Sequence, residues 1–202
     1  MAFKIAIVGG AESRKSAPFE NQSWEIWAPN NCFTGLPRIS RAFELHKIHF
    51  DGTNYYRRGR AEFRGIPVRD YLRELSKLNI PIYMQLEWPI VHRSIQYPLE
   101  DIIKRFGRYF TSSIAYMMAL AIREGAIEIG LHGINMGMDD EYSIQKPCLE
   151  YLIGYARGMG IKVSIPEDSM LLYSQGLYGY EEILLPTTEE LKEWANKSQI
   201  KK

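Results

Sequence analysis

The segment TSSIAYMMALAIREGAIEIGLHGINM, residues 111–136, sets a helix directly before a buried strand. Ser112 or Ser113 can cap the helix, because a hydroxyl accepts from an amide left bare in the first turn. About four turns rich in Ala, Met and Leu follow, and Gly125 supplies the stop. Residues 127–134, IEIGLHGI, then run with little polar interruption. A strand that is apolar throughout is covered on both faces, which is the mark of parallel pairing between helical layers.

The same alternation extends in both directions. KIAIVG, 4–9, reads as a first strand, WEIWA, 24–28, as a second ending at Pro29, and RAFELH, 41–46, as a third. In PVRDYLRELSKL, 67–78, residues Val68, Tyr71, Leu72, Leu75 and Leu78 recur at helical spacing behind Pro67. IPIYMQ, 80–85, is the next strand, and PLEDIIKRFG, 98–107, turns helical again. CLEYLIGYARGMG, 148–160, reads as a helix ending at glycine, and IKVSIP, 161–166, as a strand ending at proline. TTEELKEWANKSQIKK, 187–202, reads as a short amphipathic helix capped by Thr187 or Thr188. The expected architecture is α/β, a Rossmann-like three-layer sandwich with a mainly parallel sheet. It is expected as one domain over 1–202, with 48–66 as a flap or small insertion.

Bulk properties exclude several classes. The 202 residues suffice for one well-cored domain. A formal net charge of +1 gives no general attraction to nucleic acid or to a membrane surface. No segment approaches a membrane span, and the first apolar run is too short for a signal peptide. Cys32 and Cys148 form neither a CxxC pair nor a disulfide framework, so a reduced, cytoplasmic setting is expected. Homo-oligomerisation is left open.

In an open parallel sheet, ligands sit beyond the carboxyl ends of the strands. Four such ends carry candidate residues. Gly9, Gly10 and Ser13 form a small-residue turn that can bring amides and a hydroxyl to an anion, or can simply pack on a helix. Asn30 and Asn31 follow the second strand and can read a base edge, or merely turn the chain. His46, with Glu44 and His49 nearby, can serve as a general acid or base. Gly133 and Asn135 end the strand at 127–134, and Asp139, Asp140 and Glu141 then read as a solvated acidic turn rather than a magnesium site. In YYRRGRAEFR, 55–64, the arginines can clamp phosphate or can be solvated.

Taken in order, these features resemble bacterial sialyltransferases of the campylobacter type. They also resemble the related DUF115 group, which includes motility accessory factors and archaeal pterin pyrophosphokinases. The resemblance rests on the turn Gly9–Ser13, on Asn30 or Asn31, on Ser112 and Ser113, and on Gly133 with Asn135, and it spans most of the chain. Its compact length suits a phage-encoded member. The resemblance implies a nucleotide or nucleotide-sugar ligand held by these residues. This chain has Ala11-Glu12 where the group has Gly-Pro, Asn135 where Asp is usual, and no histidine after His132. His46 is therefore the candidate catalytic base. The leading expectation is a nucleotide-dependent transferase, glycosyltransferase-like in its use of a nucleotide sugar. The alternatives are a sequestering nucleotide-binding protein and a magnesium-dependent pyrophosphokinase.

Overall fold

The computed structural model describes residues 3–136, 140–174 and 176–180. Met1–Leu171 form one compact unit and Leu172–Lys202 a second. In the second, the Tyr180 N–H donates to the Leu177 carbonyl at 2.8 Å, closing a turn. The expected tail helix at 187–202 lies outside the described residues, as does Asp139.

The first unit is built on β1 (Lys4–Val8), β2 (Trp24–Pro29), β3 (Arg41–Glu44), β8 (Ile82–Met84), β9 (Ser94–Gln96), β10 (Glu128–His132) and β11 (Lys162–Ser164). These seven pair in the order β11-β10-β1-β2-β3-β8-β9. Every neighbouring pair is parallel. The chain steps outward from β1 to β9, then returns to lay β10 against the other side of β1. The junction of β1 and β10 is the point where strand order reverses, and ligand crevices open at such points.

Period-two alternation decides what covers the sheet. Ile5, Ile7, Trp27, Phe43, Ile129 and Leu131 share one core with α2 (Leu99–Phe106), α3 (Ser113–Arg123) and α4 (Asp140–Gly158). Ala42, Ile82 and Met84 face the other way and pack under α1 (Val68–Lys77), through Val68, Tyr71, Leu72 and Leu75. Ala6, Val8 and Ile26 lie on that same side beneath Ala17, Phe19, Leu36 and Ile39. The result is a three-layer α/β sandwich of Rossmann-like type. Its central helix α3 is buried from Met117 through Ile122, as expected of a helix apolar on all sides.

Two expectations need correction, both at α4. Residues 48–66 separately form two small antiparallel pairs, β4 (Ile48–Phe50) with β5 (Tyr55–Arg57), and β6 (Glu62–Phe63) with β7 (Ile66–Pro67). These strands are too short for any alternation to register. α4 begins at Asp140, eight residues before Cys148, with Pro147 inside it. Proline in a sequence reads as a helix entrance, and here the helix carries it in its interior. Asp140 and Glu141 accordingly open a helix rather than forming a turn. The edge strand β9 has only three residues, Ser-Ile-Gln, and no pattern announces it.

One contact closes the sheet at the β1/β10 junction. The Gly9 N–H donates to the His132 carbonyl at 2.8 Å, and the Ala11 N–H to the Gly133 carbonyl at 2.9 Å. A Cβ on Gly9 would lie 2.4 Å from the Gly133 carbonyl oxygen. A Cβ on Gly10 would meet only Cys32 Sγ, at 3.9 Å. Gly9→Ala should therefore cost about 1–3 kcal/mol, the usual penalty of overpacking. Gly10→Ala should stay within about 0.5 kcal/mol of the parent. Urea unfolding of the two variants checks the contrast, and equal stabilities would sink it.

Candidate functional site

A cleft of about 780 Å³ lies over the β1/β10 junction. Its walls come from the carboxyl ends of β1, β2, β3, β8 and β10 and from the start of α3. Of the residues singled out from the sequence, Gly9, Gly10, Asn30, His46, Ser112, Ser113, Gly133 and Asn135 line it. Ser13 and Asn31 do not. The turn after β1 is a single 3-10 turn, Glu12–Ser16, and it carries Ser13 away from the cleft. Asn31 lies in a second cavity, where its side-chain oxygen accepts from Arg64 at 3.0 Å once the amide is oriented to suit.

Each element delivers its residue for a local reason. Asn30 has φ of +51°, a left-handed backbone that asparagine tolerates better than most residues. That bend turns Asn30 toward the cleft and its neighbour away. Ser112 caps α3, its Oγ accepting from the Ala115 N–H at 3.2 Å. The first turn of α3, with its exposed amides and positive dipole end, therefore forms one wall of the cleft. Asn135 Oδ1 accepts from the Met170 N–H at 3.1 Å, so this side chain ties down the segment after β11.

Thr111 Oγ1 and Asn30 Oδ1 are shielded from solvent and have no hydrogen-bond partner, and both belong to cleft-lining residues. Buried polar atoms of this kind are uncommon and costly, about 1–3 kcal/mol each, unless a ligand serves them. Asn30, Arg58 and Met136 all have positive φ and all line the cleft. Backbone strain collects at such sites because the surrounding structure must enforce it.

The charge of the cleft is one-sided. Among the described residues lining it there is no carboxylate, while Lys47 and Arg58 both face it. Of the two cations, Lys47 did not stand out in the sequence. Lys47 is simply the residue after His46. Arg58 sat in an arginine run whose members divide: Arg57 is buried and Arg58 is exposed to the cleft.

His46 projects from the loop after β3. Its Nδ1 is 2.7 Å from Glu44 Oε1, and its main-chain N–H donates to the same oxygen at 3.1 Å. Glu44 is fully buried. Its Oε2 accepts from Arg57 Nε at 2.9 Å and from the Tyr71 hydroxyl at 2.5 Å. Burial alone would push the Glu44 carboxyl up. The His46 hydrogen bond, the Arg57 charge and the Tyr71 hydroxyl outweigh it and hold Glu44 below the usual carboxylate range. Burial, followed by the Glu44 charge, pushes the Tyr71 phenol well above its ordinary value.

No group of three His, Cys, Asp or Glu side chains placed to hold a metal ion occurs among the described residues. No described helix is long and apolar enough to cross a membrane.

No protein-family model matches the chain, and no curated protein matches it in sequence. Among solved structures it is similar to the sialyltransferase CstII from Campylobacter jejuni in complex with the substrate analogue CMP-3FNeuAc. That likeness has a TM-score of 0.50 and 13% identity, over 95% of this chain and 98% of that one. The same enzyme with cytidine-5'-monophosphate gives a TM-score of 0.50 and 16% identity, over 96% and 97%. At these identities the likeness is one of fold.

His132 ends β10 on the side away from the cleft, with its Nδ1 2.8 Å from Ser16 Oγ. Burial pushes its imidazole below the ordinary 6.5. The unfolded chain therefore binds the proton first as pH falls. Stability should be fully present above about pH 6.5 and should decline below it until the folded value is passed. His132→Gln should flatten this slope below about pH 6.5 in urea titrations. An unchanged slope would remove His132 as its source.

Proposed function

We propose that the cleft binds a nucleotide sugar and transfers its glycosyl group to a hydroxyl acceptor. The carrying observation is the cleft itself: a switch-point crevice without a described carboxylate, walled by the start of α3 and facing Lys47, Arg58 and His46. Such a site attracts a phosphate-bearing donor. The fold likeness to a sialyltransferase seen with a cytidine nucleotide supports the same donor class.

In this reading the donor phosphate rests over Gly10 and the first turn of α3. The orphaned Asn30 Oδ1 accepts from a nucleoside N–H or O–H, and the Thr111 hydroxyl donates to the phosphate or the nucleoside. The acceptor oxygen attacks the anomeric carbon as the bond from that carbon to the phosphate breaks. The electron pair leaves with the nucleotide, where the α3 amides, Lys47 and Arg58 meet its charge. The hydroxyl proton passes to His46 Nε2, the ring nitrogen that Glu44 does not engage. The reading also takes the chain as a compact, DUF115-like and phage-encoded protein, and as one of the cytoplasm; the two free cysteines support the last of these alone. A pyrophosphokinase would instead call for magnesium at Asp139, Asp140 and Glu141, of which the last two begin α4.

Two variants test the proposal. Gly10→Val fits the fold, since its Cβ meets nothing closer than 3.9 Å, but its branches enter the cleft. It should abolish binding of cytidine nucleotides measured by calorimetry, while thermal unfolding stays cooperative. His46→Ala should keep nucleotide affinity and lower transfer by roughly 10²–10⁴, the usual share of a general base. Intact binding in Gly10→Val would place the ligand elsewhere. Binding without turnover by the parent, across nucleotide sugars and triphosphates, would favour a sequestering protein.

A further inference from the structure

The buried carboxylate of Glu44 is the best-served polar group near the cleft, and its partners come from three separate parts of the chain. Glu44 ends β3 in the core sheet; His46 lies in the loop after that strand, Arg57 in the hairpin of β4 and β5, and Tyr71 in α1. All three converge on a group with no solvent exposure. We infer that Glu44 is a positioning residue: it fixes the His46 ring with a proton on Nδ1 and a bare Nε2 toward the cleft, and the 48–66 insertion holds Glu44 in place through Arg57. This rests on His46 being the base of the proposed transfer.

Two contacts compete at Nδ1. Glu44 Oε1 lies 2.7 Å from it and Arg57 Nη2 lies 2.6 Å from it. Nδ1 has one position in the ring plane, so only one contact is a hydrogen bond. A guanidinium can only donate, and would require a bare Nδ1. An ionised carboxylate can only accept, and requires Nδ1–H. The carboxylate has the stronger claim. Its Oε1 is already aligned on His46 by the main-chain N–H, and Glu44 is fully buried and cannot turn aside. A bare Nδ1 would set a lone pair against a buried anionic oxygen. Arg57 keeps its pairing without this contact, with Nε on Oε2 at 2.9 Å and its guanidinium 4.0 Å over the Phe63 ring.

The same geometry explains what the insertion contributes. Arg57 turns inward to the carboxylate, and the next residue, Arg58, turns to the cleft, its N–H donating to the Lys47 carbonyl at 3.0 Å. The hairpin is thus tied to the loop that carries His46 at two adjacent residues. Tyr71 supplies the final donor from α1, its hydroxyl donating to Oε2 at 2.5 Å.

The first test uses the unsubstituted protein. Imidazole ¹⁵N shifts of His46, recorded at about pH 8 where an ordinary imidazole is neutral, should show the Nδ1–H tautomer. A proton found on Nε2 overturns the inference. The second test is kinetic. Glu44→Gln puts amide hydrogens among the donors, and should lose the tautomer preference and lower transfer roughly 10–100-fold. Affinity for cytidine nucleotides should hold within about twofold. Tyr71→Phe removes only the hydroxyl and should show a smaller loss of the same kind, which keeps the inference testable if Glu44→Gln fails to fold. Full transfer by Glu44→Gln or Tyr71→Phe, alongside a crippled His46→Ala, overturns the positioning role and leaves the proposed function standing. Full transfer by His46→Ala overturns the base assignment and this inference together.

Discussion

Gly9 and Gly133 let two strand ends run closer than any side chain would permit, and the cleft is shaped around that approach. The amides of Gly9 and Ala11 continue the β1/β10 ladder past the ends of both strands. A Cβ on Gly133 would collide with Arg14 Cβ at 2.8 Å as well as with the Gly9 carbonyl. The absence of that Cβ is what lets the 3-10 turn sit against β10. Arg14 then reaches from this turn to the carbonyls of Cys32 at 3.3 Å and Thr34 at 2.9 Å. It thereby holds the loop that presents Asn30. A close backbone contact at the switch point is thus passed on, through one arginine, to the neighbouring strand end.

The two ends of the sheet differ in chemistry. At the amino ends Lys4 and Lys162 pair with Glu128 at 2.8 and 2.7 Å, and Arg41 pairs with Glu124 and Glu25, each at 2.8 Å. Those charges neutralise one another. At the carboxyl ends the described lining of the cleft has cations and no carboxylate. Glu44, beside the cleft, is buried and already matched by Arg57. A buried pair of this kind is a poor source of net stability, because desolvation offsets its attraction, and removing one partner costs about 3–5 kcal/mol. Its value here lies in geometry: it fixes a loop that has no regular structure of its own. The Lys47 and Arg58 charges in the described lining are therefore not offset by Glu44, whose own charge is met by Arg57.

The parts of the fold legible in the sequence were those with strong, long patterns. β1 and β10 are apolar on both faces, and α3 is apolar all round with a serine cap, so each could be read without its neighbours. β9, β6 and β7 have two or three residues each and exist because something nearby pairs with them. The start of α4 was hidden because Pro147 imitates a helix entrance. At the site, glycines and the α3 cap were legible because few residue types serve those positions. The choice between Asn30 and Asn31 was not, since it depends on one left-handed φ that either residue tolerates.

The reading of Gly9 shows how a correct residue can be singled out for an incomplete reason. From the sequence, Gly9 and Gly10 formed one small-residue turn with one purpose. The structure separates them: Gly9 is needed by the strand opposite, and Gly10 is open on the cleft side. Glu44 shows the reverse case. A glutamate at a strand end looks like a ligand-facing acid, yet its partners are an arginine thirteen residues on and a tyrosine twenty-seven residues on. Neither spacing corresponds to any local element, so only the packing of the insertion and α1 on β3 brings them together. Local pattern therefore locates the side of this cleft formed by Gly9, Gly10 and the start of α3, where backbone amides face the opening. The histidine side is assembled from long-range contacts, and it becomes visible only when the hairpin, the helix and the strand end are seen in one place.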